Sequence, residues 1–461
     1  MTEPADLSAA ALLQGFADRS LSPSECWASV ERRITAQEPR IAALYAYDPE
    51  GARRAAAAAT ERWARGAPRG PLDGLPVTVK ELIATRGVPV PRGCAATPLV
   101  PAEADAPPAA RLREDGAIIF AKTTCPDHGM LTSGLSSFHP LTRNPWNPAL
   151  NPGGSSAGAG AAAAAGYGPL HVGTDIGGSI RLPAALTGTV GFKPSHGRVP
   201  IDPYYLGRCA GPMTRSVADA ALAMATLARP DPRDATALPP PPPDWTAPAA
   251  PPRGLRIGLL RDAGCGLPVD PEIDAAVAAA AALFAAAGAR IVPVGPVLDR
   301  TLLDGLDAFW RARAWAEIGA LPPGERAKVL PYIATWAEGG ARVSGVAALA
   351  GLDATYAMRR ACGRVFDSVD ALLSPTIPVV SYPAEWASPL DDPARPFEHI
   401  AFTVPWNMGE QPALSLPCGL SAAGLPLGLQ IVGPRFGDRT VLRLGAFYEA
   451  ARGPMPPCPP A

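Results

Sequence analysis

Lysine is almost missing from this 461-residue chain: it stands only at 80, 122, 193 and 328, so arginine supplies 37 of the 41 basic residues. Arginine cannot replace a lysine that must lose its proton, so any of these four positions is a candidate for such a site. An excess of charge of one sign is also missing. The 41 basic residues face 42 acidic ones, with no basic stripe, which argues against a nucleic-acid partner or a membrane surface and for a small uncharged one. The eight cysteines contain no CxxC pair, so neither a disulfide framework nor a zinc site is expected. No strongly apolar run of membrane-spanning length occurs, the tract at 157–168 being made of alanine and glycine. The opening "MTEPADLSAAALLQGF" has no basic region leading into an apolar one, so no secretory signal is read and a cytoplasmic location is expected.

What is present alternates strand and helix. "SPSE" at 22–25 supplies Ser22 as an N-cap, Pro23 at the first helical position and Glu25 to close a capping box, within a helical stretch over 1–65. Buried strands are expected at Leu75–Val79, Ala117–Ala121 and Leu170–Thr174. Further strands are expected at Leu255–Leu260, Arg290–Val294, Ala371–Leu373, Ala413–Leu416 and Leu427–Val432. Asp270 and Pro271 open a helix that stops at Gly288. This pattern predicts an α/β architecture with a covered sheet. One chain-long unit is expected: a core over 66–228, a proline-rich surface loop over 229–253, and a remainder over 254–461 that shares the same sheet.

Two serine motifs carry the chemistry. In "GTDIGGSIRLP" a strand runs into Gly177 and Gly178 before Ser179, which permits a tight turn with free backbone N–H groups beside a nucleophile. Gly-Gly-Ser alone is more often an ordinary turn. The serine needs a base, and none of the five histidines (128, 139, 171, 196, 399) sits in a motif that marks it as one. Lys80, ending the apolar strand in "GLPVTVKELI", is the alternative, because burial lowers an ammonium's pKa; the plain alternative is a lysine snorkelling to water. "NPGGSSAGAG" at 151–160 adds Ser155 in a position to relay a proton between base and nucleophile. Phosphate binding is disfavoured, since no Gly-Lys-Ser/Thr follows and no GxGxxG fits.

Together "GLPVTVKELI", "TRNPWNP", "PGGSSAGAGAAAAAG", "GTDIGGSIRLPAALTGTVGFKPSHGRVP", "GPMTRSVADAALA" and "GLPLGLQIVGPRFGDRTVLRLGAFYE" resemble the amidase signature family, from about residue 5 to 452. The resemblance implies a central twisted mixed β-sheet sandwiched by α-helices, no metal, no cofactor, and a Ser–cis-Ser–Lys triad. By motif position Ser179 is the nucleophile, Ser155 the bridge behind a cis peptide to Gly154, and Lys80 the base. The resemblance also assigns the oxyanion hole to the amides of Ile176, Gly177, Gly178 and Ser179, and support of the loop to Asp175 and Arg181. Lys122 and Lys193 fall in structural motifs. Ala157 replaces the commoner glycine of "GGSSGG", a change that packing absorbs.

The expected activity is hydrolysis of an aryl or small neutral amide, with carbamate and ester cleavage within reach of the same chemistry. Two alternatives stand beside it: the glutamine-hydrolysing component of a tRNA-dependent amidotransferase complex, and a non-catalytic binding protein of the same fold. A homodimer is allowed. The pocket is expected from 125–140, from 202–211 and from the helices around Trp310, Trp315, Tyr332 and Trp336, with Cys125, Met130, Tyr204, Tyr205, Trp310 and Trp336 as its walls. Because the first two segments carry only Asp127, Asp202 and Arg208 as charges, a neutral, partly aromatic substrate is expected.

Overall fold

The computed structural model describes residues 3–240, 244–246 and 249–459. The strands, in chain order, are β1 (Leu44–Tyr45), β2 (Pro76–Lys80), β3 (Ile118–Thr123), β4 (Leu170–Asp175), β5 (Val190–Lys193), β6 (Cys209–Thr214), β7 (Arg256–Leu259), β8 (Arg290–Pro293), β9 (Ala371–Pro375), β10 (Ala413–Leu420) and β11 (Pro426–Val432). They form one 11-stranded sheet in the order β1-β3-β2-β4-β6-β5-β10-β11-β9-β7-β8. It is mixed: β2 runs parallel to β3 and β4, the strands from β4 through β6, β5, β10 and β11 to β9 pair antiparallel, and β9, β7 and β8 are again parallel. Strands from both sides of 229–253 therefore belong to one sheet.

Helices cover both faces. Leu414, Leu416, Leu429 and Ile431 point into a core shared with helices Val217–Leu227, Pro271–Ala286 and Asp438–Arg452. Ala413, Val432 and Leu372 point the other way, into a second core shared with helices Arg181–Thr187, Arg300–Ile318 and Gly345–Val365. This alternation is the period-2 consequence of the pleat. Strands buried on both faces read as continuous apolar runs, which is why β2, β4 and β11 stand out in the sequence. Near the N-terminus the Ser22 capping box forms as expected on helix Pro23–Ile41, and Asp270 caps helix Pro271–Ala286.

Three strands escape the sequence pattern. β1 has two residues and β5 four; β6, "CAGPMT", contains glycine and proline, which normally argue against a central strand. The sheet requires the glycine, because a Cβ at Gly211 would run into the Phe192 carbonyl oxygen of neighbouring β5. The proline-rich segment also differs from a plain surface connection. Asp231 pairs with Arg111 and Arg233, Asp234 accepts from the Ile201 amide at 3.0 Å, and Trp245 is buried in the core. Residues 241–243 and 247–248 of that loop lie outside the described residues. Among the described residues no helix is long and apolar enough to cross a membrane.

Candidate active site

β2 and β4 lie side by side in parallel and end at the same edge of the sheet, which brings Lys80, the last residue of β2, beside Thr174 near the end of β4. Lys80 is fully buried, with Nζ 2.8 Å from Ser155 Oγ and 3.1 Å from Thr174 Oγ1, and among the described residues no carboxylate pairs with it. Burial pushes its pKa down to about 8; nearby Cys125 opposes this, and the Arg208 guanidinium adds to it. The other two buried lysines are differently held: Lys122 donates to the Ile83 carbonyl at 2.6 Å, and Lys193 to that of Pro194 at 3.0 Å. Lys328 lies at the surface with Glu325.

The stretch 151–160 lays its serines against β4. The Gly154–Ser155 peptide is cis. Ser156 fastens this loop to the strand: its Oγ donates to the Thr174 carbonyl at 3.1 Å and accepts from the Thr174 amide at 3.2 Å. The Ser156 amide in turn donates to the Ser179 carbonyl at 3.1 Å. The small-residue helix that follows, Ala157–Ala165, is nearly all buried, and Ala157 is accommodated there without exposure. Ser155 and Ser179 open into the same cavity, but the Ser179 hydroxyl makes no hydrogen bond to Ser155 or to any other described residue.

The turn from β4 to Ser179 is built around Asp175. Its carboxylate accepts from the amides of Gly178 (2.8 Å) and Ile180 (3.1 Å), from Arg181 Nε (3.0 Å) and from Asn407 Nδ2 (2.9 Å). Burial disfavours the ionised form, yet the Arg181 charge and these bonds outweigh it and hold the carboxyl well below the usual range. Arg181 is itself fully buried and reaches Gln430 Oε1 and Asn407 Oδ1, both at 2.6 Å. This network corrects one expectation: the Gly178 amide is committed to Asp175 and is not a free oxyanion donor. Among the described residues the amides of Ile176, Gly177 and Ser179 have no acceptor.

The cavity measures about 340 Å³, within the range of small-molecule sites. Of the residues named from the sequence as pocket walls, Met130, Tyr205, Trp310 and Trp336 line it. Cys125 and Tyr204 do not: the thiol is buried behind the wall near Lys80, and Tyr204 faces solvent, 53% exposed. Trp315 also lies outside, packed with Arg326, whereas Tyr332 is in the wall. Phe397, which no motif flags, stands edge-on to both Trp310 (5.1 Å) and Trp336 (5.7 Å) and completes an aromatic wall. The lining carries more positive charge than the few charged residues of 125–140 and 202–211 imply. Asp127 and Asp202 are not in the wall, Arg208 is, Arg313 joins it from the helix that carries Trp310, and Arg92 joins it from a segment with no visible link to the site in the sequence.

The profile of the Amidase family matches residues 26–442. A component of the glutamyl-tRNA(Gln) amidotransferase of Chloroflexus aggregans, its A subunit, is 35% identical, over 97% of each chain. Among solved structures, a bacterial aryl acylamidase of the amidase signature family superposes with a TM-score of 0.88 at 30% identity, over 96% of each chain. A 6-aminohexanoate cyclic dimer hydrolase does so with a TM-score of 0.87 at 27% identity, over 98% of each chain. With a family match over most of its length and the serine-rich loops and mixed sheet described above, the chain belongs to the amidase signature family and is a hydrolase of C–N bonds.

Proposed function

We propose that the protein is an amidase for small amides carrying an aromatic group, acting through Lys80, Ser155 and Ser179 and an acyl-enzyme. The observation that carries this reading is the fully buried Lys80 amine, 2.8 Å from the Ser155 hydroxyl at the floor of an aromatic-walled cavity that also holds Ser179. With a pKa near 8, a useful fraction of Lys80 is neutral at physiological pH. Its lone pair accepts the Ser155 proton as Ser155 takes that of Ser179, and Ser179 Oγ bonds to the acyl carbon. The Ile176, Gly177 and Ser179 amides face the resulting oxyanion. When the C–N bond breaks, the proton on Lys80 returns through Ser155 to the departing nitrogen, which leaves poorly without it. Water then opens the ester by the same relay. Ester and carbamate cleavage need no further group.

A second reading, glutamine hydrolysis within an amidotransferase complex, is favoured by the 35% identity to the Chloroflexus aggregans protein. Against it, no Asp or Glu among the described residues lines the cavity to meet the α-ammonium of glutamine. A purely binding protein is disfavoured because all three reactive positions are occupied.

The test is hydrolysis of an anilide, an ester and a carbamate with matched aryl groups, and ammonia release from glutamine, by wild type and Ser179→Ala. Anilide turnover that disappears in the variant is the expected result. Glutamine turnover alone would favour the second reading, and no turnover by folded wild type would refute the first.

A further inference from the structure

The cavity wall has an imbalance of charge. Arg92, Arg208 and Arg313 all line it, and among the described residues no carboxylate does. Glu317, outside the lining, is shared between two of them: its carboxylate is 2.7 Å from Arg92 and 3.7 Å from Arg313. Arg313 also stacks over the Tyr205 ring, its guanidinium carbon 3.4 Å from the centroid. Arg208 has no ion pair among the described residues. Among the described residues its guanidinium makes one hydrogen bond, to the Pro203 carbonyl at 3.2 Å, and exposed Asp202 is not within pairing distance. Burial, together with the charges of Arg313 and Arg92, disfavours its protonated form, which an incoming anion would relieve. Close by, His128 also lines the cavity with neither ring nitrogen hydrogen-bonded, and burial holds it neutral, at about 4.

The geometry points to a carboxylate subsite at Arg208: the amide this cavity takes carries an anionic carboxylate at its non-reacting end, held by the unpaired Arg208 guanidinium within a wall of three arginines. A guanidinium presents a planar fork that suits a carboxylate, and such charge-assisted bonds are the strong ones where water is partly excluded. A mono-anion satisfies this wall, whereas a zwitterion leaves its ammonium without a partner. The inference rests on the hydrolase reading above for the location of the scissile bond, while its test reads binding and does not depend on turnover.

In Ser179→Ala protein, isothermal titration compares two pairs of ligands: 4-acetamidobenzoate with 4-acetamidobenzamide, charged on the amine side, and N-phenylsuccinamate with N-phenylsuccinamide, charged on the acyl side. The expected result is that in at least one pair the carboxylate binds about tenfold tighter or more. Adding Arg208→Gln reduces that advantage to about twofold or less, and Arg208→Lys, which keeps a point charge, retains part of it. Equal binding within both pairs, no measurable binding of either carboxylate, or an advantage that survives Arg208→Gln would each overturn the subsite. Failure of wild type to hydrolyse any of the four amides would count against the hydrolase reading alone.

Discussion

The Lys80 amine makes the most exposed commitment of the proposed mechanism, because its protonation sets both rate and stability. With a pKa near 8, about a tenth of the enzyme holds neutral Lys80 at pH 7 and about nine tenths at pH 9. The kcat/KM for an uncharged anilide should therefore rise about tenfold between those values, on a single ionisation. The cavity histidines do not mimic this, since burial keeps His128 and His399 neutral throughout that window, at about 4 and about 3. Arg208→Gln removes a positive neighbour that helps hold Lys80 down, so the midpoint should move to higher pH. Lys80→Arg should lower kcat/KM by ~10³ or more, because a guanidinium does not deprotonate.

The same shift affects folding. A lysine whose pKa falls from 10.5 to about 8 on folding costs ~3 kcal/mol wherever both states are protonated, that is below pH 8. From 8 to 10.5 the unfolded chain binds more protons than the folded one, so stability recovers as pH rises. Lys80→Met removes this penalty and forfeits two hydrogen bonds of ~1 kcal/mol each, so at pH 7 the inactive variant should unfold at the same or a higher denaturant concentration than wild type. A pH-independent rate across 6.5–9.5, or a midpoint below about 6.5 where an ordinary histidine titrates, would assign the base to another group and refute the reasoning.

Ser155→Ala should fold normally and lose ~10²–10⁴ in kcat/KM on an anilide, with a smaller loss on the matched aryl ester, whose leaving group needs less protonation. Asp175→Ala strands the fully buried Arg181 charge and should cost ~3–5 kcal/mol in denaturant unfolding, with Asp175→Asn milder. Gly178→Ala places a Cβ 2.6 Å from Thr403 Oγ1 at a φ of +127°, so it should abolish turnover and lower the unfolding midpoint. Phe397→Ala removes the ring between Trp310 and Trp336; steady-state kinetics should show KM for an anilide rising about tenfold, with kcat changing less.

Much of the fold is legible where local chemistry and the tertiary environment agree. Strands β2, β4 and β11 are apolar runs because both their faces are covered, and the Ser22 and Asp270 caps are satisfied within their own helices. Where they disagree the pattern misleads. β6 is a strand because β4 and β5 pair with it on either side, and its Gly211 answers the close approach of β5. Trp245 is buried although its proline-rich surroundings read as solvent-facing.

The sequence by itself determined which groups are available for chemistry. It singles out two glycine-flanked serines and a lysine ending an apolar strand, because turn chemistry and strand period act over a few residues and leave their mark in order along the chain. Only the tertiary structure decided which groups meet. The parallel register of β2 and β4 sets Lys80 beside Thr174 and Ser155. Asp175 claims the Gly178 amide, and among the described residues the amides of Ile176, Gly177 and Ser179 stay without an acceptor. Phe397, Arg92 and Arg313, from segments far apart in the chain, join Arg208 around one cavity. Such contacts depend on how sheet edges and helices pack across hundreds of residues, and no short-range pattern encodes that distance.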